Sequence, residues 1–194
     1  MSGAFSLARE RSTKARPRSE RRQRTNMASS SELAPRSSAD SVTEMTEYVL
    51  PQHANALGSV FGGQIMAWVD LCAAICASRH SGCTAVTAFV DDLVFRAPVR
   101  VGEVVRLHAI VTATFRTSME ITVTVEGEDA RTRRRWPCVE ALLTFVAIDD
   151  ARAPTPVPPL TLATERERRT QAQGEERRRQ RLARAAEAQA DKGP

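Results

Sequence analysis

The sequence predicts an α+β domain: an antiparallel sheet curled around one long helix. Three observations carry this reading. The run from Gln64 to His80 is apolar almost all round. After it, from Thr84 to Ile148, the hydrophobic period switches to two. The segments of that second stretch are joined by links of hairpin length, with no room for further helices.

Each element follows in order. Glu47 to Leu50 reads as a short strand stopped by Pro51. A polar, Gly-containing loop comes next, QHANALGSVFGG. Gln64 to His80 then makes a helix of more than four turns. A helix apolar on all sides must be buried on nearly every side. One sheet face covers only part of it, so a second sheet from a partner chain is the simple way to finish the burial, and at least a dimer is expected. SGC at 81–83 ends the helix, with Gly82 as its C-terminal cap.

TAVTAFV at 84–90 is β-branched and aromatic, and EVVRLHAIVTATFRT at 103–117 is a long strand. MEITVTVE at 119–126 alternates cleanly, with Met119, Ile121, Val123 and Val125 on one face and Glu120, Thr122, Thr124 and Glu126 on the other. VEALLTFVAI at 139–148 has apolar positions on both faces, so it belongs inside the sheet. GEDARTRRRWP between these two is a polar hairpin loop, and Pro98 and Gly102 punctuate the link before the long strands. Three regions result: a disordered basic tail at 1–40, the folded domain at 41–150, and a Pro-rich exit with an Arg/Glu-rich tail at 151–194. Within the last, residues 161–190 make a polar helix or a frayed segment.

The net charge of +5 and the pI of about 9.6 invite a nucleic-acid reading. Its location argues against one. Residues 1–44 hold 9 Lys/Arg against 5 Asp/Glu, residues 45–149 hold 9 against 11, and residues 150–194 hold 10 against 7. The folded middle is slightly acidic, and the basicity sits in the flanks, where it reads as solvated tail. No apolar run approaches the roughly 18 residues of a membrane helix. No secretory signal pattern appears at the N-terminus, and the four cysteines at 72, 76, 83 and 138 mark no disulfide framework. A reducing, cytoplasmic setting is expected.

Asp70 stands alone in the apolar run, flanked by IMAWV and LCAAICAS. Burial disfavours a charged carboxylate and pushes its pKa upward. From the residues alone, a structural and a catalytic role both stay open. Gly62 and Gly63 precede the helix, where free amides at the positive helix end suit a developing oxyanion, or simply form a tight turn. Cys72, Cys76 and His80 share one helix stripe but span about 12 Å, too far for one zinc ion. The cysteines are expected in the core, His80 at the helix end where a cation or donor is favoured, and His108 exposed on a strand. No G-x-S-x-G, G-x-G-x-x-G or P-loop is present.

Several stretches resemble the hotdog-fold acyl-CoA thioesterases, the subgroup of bacterial short-chain and eukaryotic cytosolic acyl-CoA hydrolases. They are NALGSVFGGQIMAWVD at 55–70, SRH at 78–80, TAFVDDLVFRAPVRVGE at 87–103, RTSMEITVTVE at 116–126 and ALLTFVAIDD at 141–150. The resemblance spans about residues 43–165 and leaves residues 1–40 out. It implies a hotdog fold, dimers sharing a continuous sheet, a trimer of dimers, and hydrolysis of acyl-CoA to fatty acid and free CoA. It makes Asp70 the general base or the nucleophile. It makes Asn55 a positioner of water or carbonyl and gives the Gly63 amide to the oxyanion hole. Asn55 and Asp70 of one site would come from different chains.

The same resemblance puts Gly62, Phe61 and His53 beside the substrate, with Val90, Asp91 and Phe95 along the pantetheine. Relatives often carry His where Phe61 stands, an aromatic variant also found in this subgroup. Arg116, Thr117 and Ser118 offer charge, hydroxyls and amides to a CoA phosphate. The arginines at 131, 133, 134 and 135 are a second candidate, against a solvated hairpin. Thioester hydrolysis requires no metal or cofactor. Two rivals stay open: a non-catalytic acyl-CoA sensor, and a hotdog thioesterase acting on acyl carrier protein or an aryl-CoA.

Overall fold

The computed structural model describes residues 33–190. Most of the tail expected at 1–40 therefore lies outside the described residues, while 33–41 already belong to the fold. Ser38–Ser41 form a 3-10 turn. The Arg36 guanidinium donates to the carbonyls of Arg79 and His80 at a helix end.

The chain forms β1 (Thr43–Tyr48), α1 (Gly62–Ser81), β2 (Thr84–Phe95), β3 (Val104–Thr114), β4 (Ser118–Glu128), β5 (Arg135–Ile148) and α2 (Glu165–Ala190). The five strands make one antiparallel sheet in the order β1-β3-β4-β5-β2. The expected wrap of sheet around helix is present, with β5 inside the sheet. β1 starts earlier than expected because Thr43 and Met45 pair with Ala109 and Leu107 of β3. β2 continues past Val90 through Asp91 and Asp92 to Phe95, with two register irregularities on the way.

α1 lies across the inner sheet face. Its Ile65, Trp68, Val69, Cys72, Ala73, Cys76 and Ala77 pack against Leu107, Met119, Ile121, Leu143 and Phe145. Each large side chain buried there contributes about 1.5–3 kcal/mol. The helix ends as expected at Gly82, whose φ of 75° is left-handed. α1 is not buried all round, however: Phe61, Met66, Ala67, Asp70 and Leu71 form an exposed stripe in the single chain.

α2 lies on the opposite, outer face. Gly174 sits so close that an added Cβ would meet the Ala113 side chain at 2.5 Å. Gln171 bonds both the amide and the carbonyl of Thr114. Arg177 clamps Glu120 with two bonds, Nε to Oε2 at 3.0 Å and Nη2 to Oε1 at 2.6 Å. This explains why Glu120 is buried although it lies on the polar face of an alternating strand.

Candidate active site

α1 begins at a tight corner. Phe61 is the N-cap in an extended conformation, and its carbonyl takes the amides of Gln64 and Ile65. The Gly62 and Gly63 amides occupy the first turn, where an α-helix supplies no acceptor of its own. The missing side chains are required by packing. A Cβ on Gly63 would lie 2.4 Å from Phe61 Cε1, and one on Gly62 would touch Phe95 at 3.4 Å. A cavity of about 330 Å³ opens beside Gly62, lined by Val60, Ile65, Phe95, Val99 and Val139 among others. It is apolar, and the helix start forms part of its wall.

Asp70 lies two turns further along α1, on the exposed stripe between Met66 and Leu71. The burial expected for it is therefore absent in the single chain. Its Oδ1 accepts a hydrogen bond from Thr87 Oγ1 of β2 at 2.5 Å. Thr87 carries no signal of its own in the sequence, since a threonine in a strand is ordinary. Only the folding of β2 against α1 shows that it holds the carboxylate.

Asn55 sits in the loop before α1. Its Oδ1 accepts from the amides of Leu57 at 2.9 Å and Ser59 at 3.4 Å, and from the Ser59 hydroxyl at 3.3 Å. This is an Asx turn that fixes the loop. No bond joins it to Asp70 among the described residues. His53 is held by its own surroundings: Nδ1 accepts from the Leu50 amide at 3.3 Å, and the ring stands edge-on to Trp68, centroids 5.1 Å apart.

The profile of the thioesterase superfamily matches residues 57–133. A mouse relative, acyl-coenzyme A thioesterase 11, is 41% identical over 104 residues, which are 54% of this chain and 18% of the relative. The chain thus spans about a fifth of the first curated relatives it matches. An apo-hexameric acyl-CoA thioesterase is 37% identical, with a TM-score of 0.74; the match covers 79% of this chain and 99% of that one. This chain belongs to the hotdog-fold acyl-CoA thioesterases.

Within these thioesterases, the acyl-CoA hydrolase of Staphylococcus aureus, solved with butyryl coenzyme A and coenzyme A, is 31% identical. Its TM-score is 0.72 over 80% of this chain and 95% of its own. Structures of that protein include three alanine variants, of one aspartate, one asparagine and one threonine. In that chain the aspartate lies 15 residues after the asparagine and 17 before the threonine. Asn55, Asp70 and Thr87 have the same separations.

The other candidate residues spread along both sheet faces. Val90 and Phe95 are exposed on β2, about half of each ring or chain surface being free. Asp91 is engaged on the outer face, where Arg181 of α2 forms an ion pair with it. Arg116, Thr117 and Ser118 form the β3–β4 turn; Arg116 is exposed, Ser118 is buried, and the carbonyls of Arg116 and Thr117 take the amides of Val157 and Ala147. In the hairpin, Arg133 and Arg135 pair with Glu128, and Arg134 stacks on Trp136 with its guanidinium 5.5 Å from the ring centroid.

Cys72 and Cys76 are core residues, and burial pushes their thiols up to about 11 and about 12. His80 sits at the helix end as expected, as a donor rather than a cation. It is buried, its Nε2 lies 3.0 Å from the Pro158 carbonyl, and burial pulls its pKa below 6.5. Desolvation under the Pro-rich segment disfavours the imidazolium and outweighs the Pro158 carbonyl, which favours it. His108 is half-buried on β3 rather than exposed.

Proposed function

We propose that this chain hydrolyses acyl-CoA to a free fatty acid and coenzyme A. The observation that carries the reading is Asp70, a carboxylate set on an otherwise apolar helix stripe and gripped by Thr87. The identical spacing of Asn, Asp and Thr in a relative solved with coenzyme A supports it.

In this mechanism the thioester carbonyl points at the start of α1. The Gly63 amide, with Gly62 beside it, receives the oxyanion at the positive end of the helix. Asp70 takes a proton from water as general base, or attacks the carbonyl itself. Thr87 fixes the rotamer of Asp70 and leaves its second oxygen free for the reaction. Asn55, in a rigid Asx turn, offers its amide to the water or the carbonyl. The apolar cavity beside Gly62 takes an apolar part of the substrate. Arg116, Thr117 and Ser118 receive a CoA phosphate.

The active form is a homo-oligomer with a dimer as its unit. The exposed stripe of α1 and the inner side of the edge strand β2 make one apolar face with Phe61, Met66, Leu71 and Val90. A second copy covers it, and Asn55 of one chain then faces Asp70 of the other. The hexameric state of a relative supports assembly of this kind.

The test is release of free thiol from a panel running from acetyl-CoA to stearoyl-CoA, with wild type and Asp70→Ala side by side. Turnover by wild type and a loss of about a hundredfold or more in the folded variant are expected. Full activity in Asp70→Ala would rule the assignment out. Binding of acyl-CoA with no thiol release by wild type would establish the sensor.

A further inference from the structure

The apolar cavity of about 330 Å³ beside Gly62 has a mouth and a floor. Phe95 and Arg96 border it and are exposed, and Arg96 is paired with Glu140 at 3.3 Å. Its closed walls are Val60, Ile65, Val99, Cys138 and Val139, each less than a tenth exposed. The charged side therefore faces water and the deep side is apolar. Burial holds the Cys138 thiol above its ordinary pKa, so it stays uncharged and packs as a small hydrophobe.

Cys138 and Val139 are consecutive residues of β5, yet both border this cavity. In a regular strand such neighbours point to opposite faces. A bulge removes the conflict. Glu126 of β4 pairs with Pro137 and Val125 pairs with Val139, so Cys138 is an extra residue with no partner in the register. The bulge turns a second side chain of β5 inward, and the residue placed there is the smallest of the five closed walls. A leucine at that position would take up depth that the cysteine leaves free.

The size of the cavity sets a limit. An apolar cavity of about 150 Å³ takes one benzene ring, six carbons. At about 330 Å³ this one takes about a dozen carbons at most. Gly62 borders it at the start of α1, so a carbonyl held by the first amides of the helix has this cavity as adjacent apolar space. Each methylene that enters gains several-fold in binding, and one that finds no room loses about tenfold or more.

We infer that this cavity receives the acyl chain and that Cys138, turned inward by the bulge in β5, sets its floor, which limits the acyl group to about twelve carbons. The inference rests on the hydrolase reading above and adds a length limit to it.

The test is kcat/KM for thiol release by the full chain across saturated acyl-CoAs from acetyl to stearoyl, with wild type and Cys138→Leu side by side. For wild type it should rise to about decanoyl- or dodecanoyl-CoA and fall about tenfold or more by stearoyl-CoA. Cys138→Leu adds two heavy atoms to the floor, so the ratio of dodecanoyl- to hexanoyl-CoA should fall about tenfold. A wild-type profile still rising at stearoyl-CoA overturns the limit. An unchanged ratio in folded Cys138→Leu overturns the floor. Either result leaves the hydrolase reading standing, whereas no thiol release from any acyl-CoA overturns that reading and the inference together. Should Cys138→Leu fail to fold, Val99→Ala serves instead. It deepens the same cavity by two carbons, and the ratio of tetradecanoyl- to decanoyl-CoA should rise about tenfold; an unchanged ratio overturns the inference.

Discussion

Replacing Arg177 with methionine leaves Glu120 as a carboxylate with no surface exposure and no cation. The pair is well made, with both carboxylate oxygens engaged, and it holds the Arg177 pKa above its ordinary value. Thr112 approaches one of those oxygens at 3.4 Å, too long to replace the guanidinium. Breaking a buried pair from one side costs about 3–5 kcal/mol. Arg177 is itself 33% exposed, so water reaches part of the site and the lower value applies, about 3 kcal/mol. For a chain of this size that lowers Tm by about 6–12 °C. Urea unfolding followed by the fluorescence of Trp68 and Trp136, at one fixed protein concentration, reads the loss. The double variant Glu120→Met/Arg177→Met removes both charges and should recover to within about 1 kcal/mol of wild type. An Arg177→Met protein within about 0.5 kcal/mol of wild type would refute the claim that this pair anchors α2.

Other outcomes follow from the site and the helix end. Thr87→Ala removes the bond to Asp70, about 1.5–3 kcal/mol for a charged acceptor, and should lower kcat by about ten- to a hundredfold, while Thr87→Ser retains most of it; steady-state thiol release decides. Gly63→Ala forces the Phe61 ring off the helix start, so kcat should fall about tenfold and recover in Phe61→Ala/Gly63→Ala. His80 is held neutral in the fold, whereas the unfolded imidazole titrates near 6.5. Its contribution is therefore full above that pH and lost as pH falls below it, because only the unfolded state takes up the proton. Tm should drop on acidification below about pH 6.5, and His80→Gln should flatten that drop; an unchanged profile would exclude His80 as its source.

The helix and the three long strands are legible in the sequence because their apolar residues recur with a helical or strand-like period or, in β5, fall on both faces. β3 alternates as far as Val111, where a register shift turns Ala113 to the outer face under Gly174. α2 is different. It holds the sheet through a glycine, a glutamine and arginines, and no apolar stripe announces which face docks. Glu120 reads as a solvent-facing residue of an alternating strand, and only the docked helix turns it into a buried anchor. Within the site, Asp70 stands out as a lone charge in an apolar run. Thr87 does not, because its role comes from a contact across 17 residues. The burial of His80 has a similar source. Its place at a helix end is written in the sequence, but the Pro158 carbonyl that it bonds comes from 78 residues away.

The exposed stripe also bears on why Asp70 stands where it does. A single chain with Phe61, Met66 and Leu71 in water beside an unpaired edge strand would be an aggregation hazard. Covering the stripe with a second copy removes that hazard and encloses Asp70 with the same surface. A carboxylate on a fully buried helix face would be costly from the moment of folding. In the proposed dimer it would fold exposed and be enclosed only on assembly, when the loop that carries Asn55 would arrive from the other chain. In that dimer the apolar neighbours would supply the association energy, and the one charged residue among them would be positioned to receive substrate. On this reading the site is a property of the dimer, and the position of Asp70 on the helix follows from the interface as much as from the chemistry.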